Sequence, residues 1–383
     1  MTEVVTNALL HAGTKIDISL SVGADGLRVE VGDGSPHLPS RRSYASTAGT
    51  GRGLMLLERM VDDWGVVPNP TGKTVWFHVA SGDHHETDPA IMEGATEPVS
   101  SPRGETVTVQ FLNVPLLLHA AWEEHAQALL REYLLANLDQ QVGHDAIRLH
   151  AEATDAIAVV AERFPRPEIG LEPDQVMGDA VEPRVSCPRV DVAIPVASVP
   201  HFNTLNQALE TAIALADNDM FLTPPTQPEV RSFRLWLCEQ VDQQSKGGEP
   251  SPWSIEAGSP PAPHRAPVWD PTPVTESLHA MIAADDANRI LAVSRAALEL
   301  LGYDEPQQLV GQRIVSIIPA RYRQAHIAGF TMHLLVGRSP LIDTTVVVPA
   351  KRRDGREVEV ELTVYSRRVP DGRKVFIAEL RGT

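Results

Sequence analysis

Three groups of residues near the start of the chain have types and spacings that could do chemistry. In EVVTNALLHAG, Glu3, Asn7 and His11 recur every four residues. Four residues turn a helix by about 400°, so the three side chains share a face. In GLRVEVGDGSP, Asp33–Gly34 sets a carboxylate at the end of an apolar, alternating run. In GTGRGL, Gly49, Gly51 and Gly53 lead straight into the helical pattern LMLLERMVDDWG. That loop has neither the Lys-Ser/Thr of a Walker A sequence nor a Rossmann fingerprint. Singly, each group also reads as something plain: solvated positions on an amphipathic helix, a turn, a flexible loop. Their order, in strand–loop–helix contexts, argues for one composite site.

Other chemistries find less support. His119, His125, His144 and His150 lie in helical segments without a Cys or carboxylate companion at ligand spacing, so they read as core or surface residues rather than metal ligands. Cys187 and Cys238, fifty-one residues apart, are too few for a zinc cluster or a disulfide framework.

The elements that must carry the first site can be read around it. Gly13 ends the first helix. KIDISLSV and GLRVEVGDG form two strands joined at Gly23 to Gly26, and KTVWFHVA closes the region as a further strand.

With those motifs in order, residues 1–80 resemble the GHKL superfamily of ATP-binding folds, and within it the anti-sigma-factor serine kinase type. EVVTNALLHAG looks like that family's N-box, GDGSP like a shortened G1 box and GTGRGL like its G2 box. The resemblance implies ATP and Mg²⁺ as cofactors, with Asn7 holding the metal through its amide oxygen; magnesium suits a site with few protein oxygens. It implies Glu3 as the general base toward a protein serine hydroxyl. Asp33 would accept a hydrogen bond from the adenine amino group, with Gly34 beside it and Thr74 next to the adenine. Gly49, Gly51 and Gly53 would let the backbone approach the phosphates. Arg41, Arg42 and Arg52 could add phosphate contacts, the first two reading better as a solvated lid. The family carries a strand and a long helix ahead of its N-box, whereas this chain starts two residues before Glu3. The expectation is a truncated α/β sandwich, whose true start lies upstream or which is a degraded remnant. A phospho-accepting helix of the histidine-kinase kind and the aspartate motifs of a protein phosphatase are not visible.

Beyond Gly104 the pattern is mostly helical. LLLHAAWEEHAQALLREYLLANL has helical spacing, further helices are expected near Ala146–Phe164, Leu205–Asp217 and from Gln227–Pro228, and VDVAIPVASV alternates as a strand. Gly247 to Pro273 contains eight prolines and reads as an extended, semi-rigid linker in which Trp253 and Trp269 could dock on a neighbour.

The C-terminal stretch reads as two strands turning at Asp285–Asn288, a helix with Ala297, Leu298 and Leu301 inward, a longer helix over RYRQAHIAGFTMHLLVG, and three strands with a hairpin turn at Asp354–Gly355. ILAVSRAALELLGY, LVGQRIVSIIP and RRDGREVEVELTV make it resemble a PAS domain over about 275–381, with Ser294 where many such domains have Asn. No cysteine lies here, which excludes flavin photochemistry that needs a reactive thiol. In haem-binding oxygen sensors of the PAS type the proximal ligand occurs in a context like that of His326, so His326 is the residue that would ligate haem. A polar helix residue is the preferred reading, because Val346 or its neighbours stand where those sensors carry arginine. His333 reads as surface.

Composition bounds the whole. The 383 residues carry a formal charge of −17, with 43% apolar residues, enough for ordinary cores. Residues 1–80 carry 7 basic and 8 acidic groups and residues 271–383 carry 15 and 13, so almost all the charge lies between them. An acidic middle repels a polyanion, which argues against direct nucleic-acid binding. No apolar run approaches the roughly 20 residues of a membrane helix, and the N-terminus lacks a basic flank and cleavage pattern. The expectation is a cytoplasmic, multidomain protein: an incomplete GHKL-type domain (1–80), a linker (81–104), an acidic, mainly helical domain (105–247), a Pro-rich linker (248–272) and an α+β PAS domain (273–383). It would be a bacterial signalling regulator, with a sigma-factor or anti-anti-sigma type of protein partner and a homodimer through PAS. The alternative is a catalytically inactive PAS scaffold with a relic nucleotide site.

Overall fold

The computed structural model describes residues 8, 16–23, 26–34, 61, 63–69, 72–80, 105–137, 143–170, 172–218, 220–254, 266–337, 341–370 and 372–382. These fall in two units, one drawn from 1–108, 133–160 and 193–208, the other from 109–132, 161–192 and 209–383.

The first unit holds a four-stranded antiparallel sheet. Its strands are β1 (Asp17–Gly23), β2 (Gly26–Asp33), β3 (Asp63–Asn69) and β4 (Gly72–Ala80), in the order β1-β2-β4-β3. Period-two alternation puts Val29 and Val31 of β2 opposite Phe77 and Val75 of β4, and these four make a core with Ala8. Asp63, Trp64 and Gly65, expected to close a helix, instead begin β3. Gly65 pairs with Trp76, and a Cβ there would stand 2.9 Å from the indole, so the bare backbone makes room for the ring. Arg28 covers the same indole at 4.0 Å. Farther along the chain, helix α2 (Gly143–Ala161) and helix α4 (Val199–Asp217) hold one another through His201 Nδ1 to Asp155 Oδ2 at 2.7 Å and Thr204 Oγ1 to Glu152 Oε2 at 2.9 Å.

The second unit contains most of the helical middle and the C-terminal sheet. TVTVQFLNVP forms strand β5 (Thr106–Pro115), which runs directly into helix α1 (Leu116–Asn137) and pairs with β6 (Ser186–Pro195) in a two-stranded sheet. A short helix α3 (Pro173–Asp179) precedes β6, and α5 (Pro228–Ser245) starts with proline in its first turn. Phe111, Phe164, Trp236, Phe233 and Trp253 interlock at centroid distances of 5.3–5.7 Å, edge-to-face except for the tilted Phe233–Trp236 pair. Trp253 is therefore buried, and its backbone N–H donates to Leu112 O at 2.9 Å. The start of the Pro-rich stretch is pinned to this core.

The C-terminal sheet has the order β8-β7-β11-β10-β9, from β7 (Ala280–Asp285), β8 (Ile290–Val293), β9 (Thr345–Lys351), β10 (Glu357–Arg368) and β11 (Lys374–Gly382). Every neighbour is antiparallel. The sheet is apolar on both faces. On one, Ile282, Val360 and Leu380 pack with Leu298 and Leu301 of helix α7 (Arg295–Leu301). On the other, Ala283, Val375 and Ile377 pack with Val274 of the short helix α6 (Thr272–Thr275) and with Trp269, which settles where that tryptophan docks. Ser294, fully buried, accepts from Met281 N and Ala297 N and donates to His279 O. One hydroxyl thus caps α7 and ties it to β7. Gly355, at φ 86°, sits in the β9–β10 turn as the Asp-Gly pair predicts.

Candidate functional site

The residues expected to bind nucleotide are partly in view. Glu3, Asn7, Gly49, Gly51, Gly53 and the arginines Arg41, Arg42 and Arg52 lie outside the described residues; Asp33, Gly34 and Thr74 lie within them. Asp33 ends β2 on the face that carries Val29 and Val31, and it is buried. Its strand partner on β4 is Lys73, whose Nζ donates to Asp33 Oδ1 at 3.0 Å. The side chains are 8% and 2% exposed for Lys73 and Asp33, so this is a buried ion pair. Thr74 pairs with Gly32 and, by strand alternation, projects to the opposite face of the sheet from Asp33. The structure therefore brings Lys73, not Thr74, beside Asp33. Lys73 was missed in the sequence because only the β2–β4 register reveals it. Close by, a Cβ on Gly72 would lie 1.9 Å from Asp33 O and 2.6 Å from Gly34 Cα, which fixes glycine there.

How far these residues suit a nucleotide can be tested on Asp33. A carboxylate at a strand end can accept from an exocyclic amino group, but the Lys73 ammonium already occupies one of its oxygens. Among the described residues, no three His, Cys, Asp or Glu side chains gather closely enough to hold a metal ion. His119, His125 and His150 are all core residues.

A second candidate site lies in the unit that contains the C-terminal sheet: a cavity of about 660 Å³. One wall comes from the sheet (Val346, Val360, Phe376) and helix α8 (Ala320–Val336); the other comes from α1, the segment 164–169 and α3. His326 and His333 of α8 both line it. His326 Nε2 is 3.1 Å from Asn288 Oδ1, which as an amide oxygen can only accept, so Nε2 carries the proton. Burial, with Arg313 adding to it, pushes His326 down to about 4, so the ring is neutral at physiological pH. It stacks on Phe330 with centroids 5.9 Å apart. A neutral imidazole beside an apolar cavity is chemically able to ligate iron, but here its Nε2–H is engaged by Asn288, leaving only Nδ1 for such a bond. His333, expected at the surface, is buried, with its ring 5.5 Å from that of Phe376.

Two polar knots flank this cavity. Gln324 of α8 accepts from Leu117 N at 3.0 Å and donates to Ser186 Oγ at 3.2 Å and to Glu182 Oε1. Glu182 N donates to Arg321 O at 3.0 Å. At the other knot, Arg313 pairs with Glu229 and donates to Gln227 Oε1 at 3.1 Å, while Gln227 Nε2 donates to Asp286 O at 3.2 Å.

Comparison with known proteins agrees with the two ends of the chain. Residues 1–79 match the family model of the histidine kinase-like ATPase domain, and residues 276–381 match that of the PAS fold. An uncharacterized protein of Azorhizobium caulinodans is 35% identical over 105 residues, which is 27% of this chain but 14% of that protein. Among solved structures, the PAS domain of an HTR-like protein from Haloarcula marismortui is 23% identical, covering 29% of this chain and 87% of that one, with a TM-score of 0.23. The LOV protein of Rhodobacter sphaeroides is 16% identical, covering 29% of this chain and 64% of that one, with a TM-score of 0.25.

Proposed function

For a chain that carries a histidine kinase-like ATPase domain at its N-terminus and a PAS domain at its C-terminus, we infer a bacterial signalling regulator in which the PAS domain senses and the ATPase-like domain responds. The observation that carries the reading is the presence of both domains in one polypeptide. The finer assignment is a cytoplasmic protein serine kinase of the anti-sigma-factor type, acting on a protein partner and dimerising through PAS. Bound MgATP would supply the γ-phosphoryl group to the partner's serine oxygen, with ADP as the leaving group. In this reading Glu3 would take the proton of the partner's serine hydroxyl, Asn7 would hold the metal through its amide oxygen, and Asp33 would orient the adenine. The glycines at 49, 51 and 53 supply backbone N–H groups to the phosphates.

A second reading has a specific observation behind it. Asp33, the residue assigned to adenine, is neutralised by Lys73 within a buried pair, as expected of a relic nucleotide site in a PAS-centred scaffold. A fluorescent ATP analogue titrated into the full chain separates the two. Saturable, magnesium-dependent binding that weakens at least tenfold in Asp33→Asn supports the kinase-type reading. Absence of binding up to millimolar nucleotide leaves the scaffold.

A further inference from the structure

Two buried polar atoms on residues that line the 660 Å³ cavity have no hydrogen-bond partner among the described residues: His119 Nε2 on α1 and Asn288 Nδ2 on the β7–β8 turn. His119 is 5% exposed and Asn288 1%. Native proteins satisfy nearly all such atoms, because an unpaired buried donor or acceptor forfeits its bond to water. One atom belongs to the helical middle and the other to the sensor fold. The rest of the lining is predominantly aliphatic and aromatic, including Leu116, Ile169, Met177, Val346 and Phe376. A cavity of this size with a few polar groups in an apolar wall is the form of a small-molecule site.

We propose that this cavity binds a neutral small molecule with a flat or aliphatic hydrocarbon body and one or two oxygen functions, held between the PAS sheet and the helical middle by His119 at one contact and Asn288 at another. Asn288 Nδ2 is a donor and so requires an oxygen acceptor on the ligand. The His119 ring, pushed down to about 3 by burial and by Arg166, stays neutral and presents a nitrogen to a hydroxyl or carbonyl. Glu123, Glu124 and Arg166 also line the cavity, two acidic groups against one basic, which disfavours an anionic ligand, and the apolar wall disfavours any charged one. A site with walls from both regions makes the ligand part of their contact, beside the Gln324 knot that joins α8 to Leu117 and Ser186. This inference deepens the sensing half of the proposed function and does not depend on nucleotide.

The test uses the full chain without ATP and two fluorescent probes of nearly the same shape, pyrene and 1-hydroxypyrene. Both are expected to bind saturably at one site per chain, 1-hydroxypyrene about fivefold tighter through one net hydrogen bond. His119→Phe keeps the ring packing against Phe164 and removes the nitrogen, so it should bring the two probes within twofold of each other. Gly329 of α8 lines the cavity, and a Cβ there meets nothing within 4 Å. Gly329→Leu therefore fills space without a clash at its first atom, in a helix where glycine is the less stable choice. It should weaken both probes at least tenfold while leaving the circular dichroism unchanged. The proposal is overturned if neither probe binds saturably, if Gly329→Leu binds them as the parent does, or if His119→Phe leaves the preference for 1-hydroxypyrene intact. Failure of nucleotide binding would leave every one of these readouts unaffected.

Discussion

Replacing Lys73 by Met removes one half of a buried ion pair and leaves the other half in place. The Lys73 and Asp33 side chains are 8% and 2% exposed, and Nζ stands 3.0 Å from Oδ1. With so little solvent contact, water does not make good the lost contact, and breaking a buried ion pair by removing one side costs about 3–5 kcal/mol. At about 1.4 kcal/mol per factor of ten, the opening equilibrium of the β2–β4 pairing should rise by roughly 140- to 4,000-fold. Amide hydrogen exchange of peptides spanning 26–34 and 72–80 in the full chain reads this directly, up to the ceiling set by the sheet's global stability. The double variant Lys73→Met, Asp33→Leu removes both charges and fills similar volume, so exchange should return to within about tenfold of the parent. Exchange in the single variant within threefold of the parent would falsify the burial argument. A double variant no better than the single would show that Lys73 stabilises through its stem, not its charge.

Three further outcomes follow from the second unit. His119, His125 and His326 are pushed down by burial, to about 3, about 4 and about 4. The ordinary histidine value is near 6.5, so between there and the folded values the unfolded chain binds more protons. Stability is then complete above about pH 6.5 and falls as the pH drops toward 4, by up to about 1.4 kcal/mol per pH unit for each histidine; urea melts at pH 7, 6 and 5 should show the decline, and His125→Gln should flatten it. Gln324→Leu strips the partner from Leu117 N, costing about 1–3 kcal/mol, and removes one of the two donors to Glu182 Oε1, Ser186 Oγ remaining; it should raise protease cleavage between residues 161 and 192; an unchanged digestion rate would count against that knot. Burial pushes the Cys238 thiol up to about 12, whereas Cys187 is partly exposed, so a disulfide reagent should modify one thiol rapidly in the native chain and two after denaturation.

What the sequence disclosed and what it hid divide along a physical line. Local signals were legible. Asp354–Gly355 marks a hairpin, Gln227–Pro228 starts α5, and the alternation of KIDISLSV and GLRVEVGDG produces β1 and β2, closed by the Gly23–Gly26 pair. TVTVQFLNV also alternates with β-branched residues, yet its position ahead of the long helix α1 masked it; its partner β6 lies about eighty residues away. Pairings at that separation are set by register and burial, which no local window contains. The same holds for the sites. Lys73 sits beside Asp33 because of a register forty residues long in sequence, and Thr74, one residue on, falls on the other face. The cavity is less legible still, since its lining runs from Leu116 to Leu380 and its polar contacts come from a helix and a turn 169 residues apart. His119 read alone is a histidine on an apolar helix; only the fold shows that its buried Nε2 has no partner among the described residues and that its side chain lines a cavity. The motif that names a family and the residues that select a ligand are therefore recorded differently: the first as contiguous sequence, the second as coincidence in space.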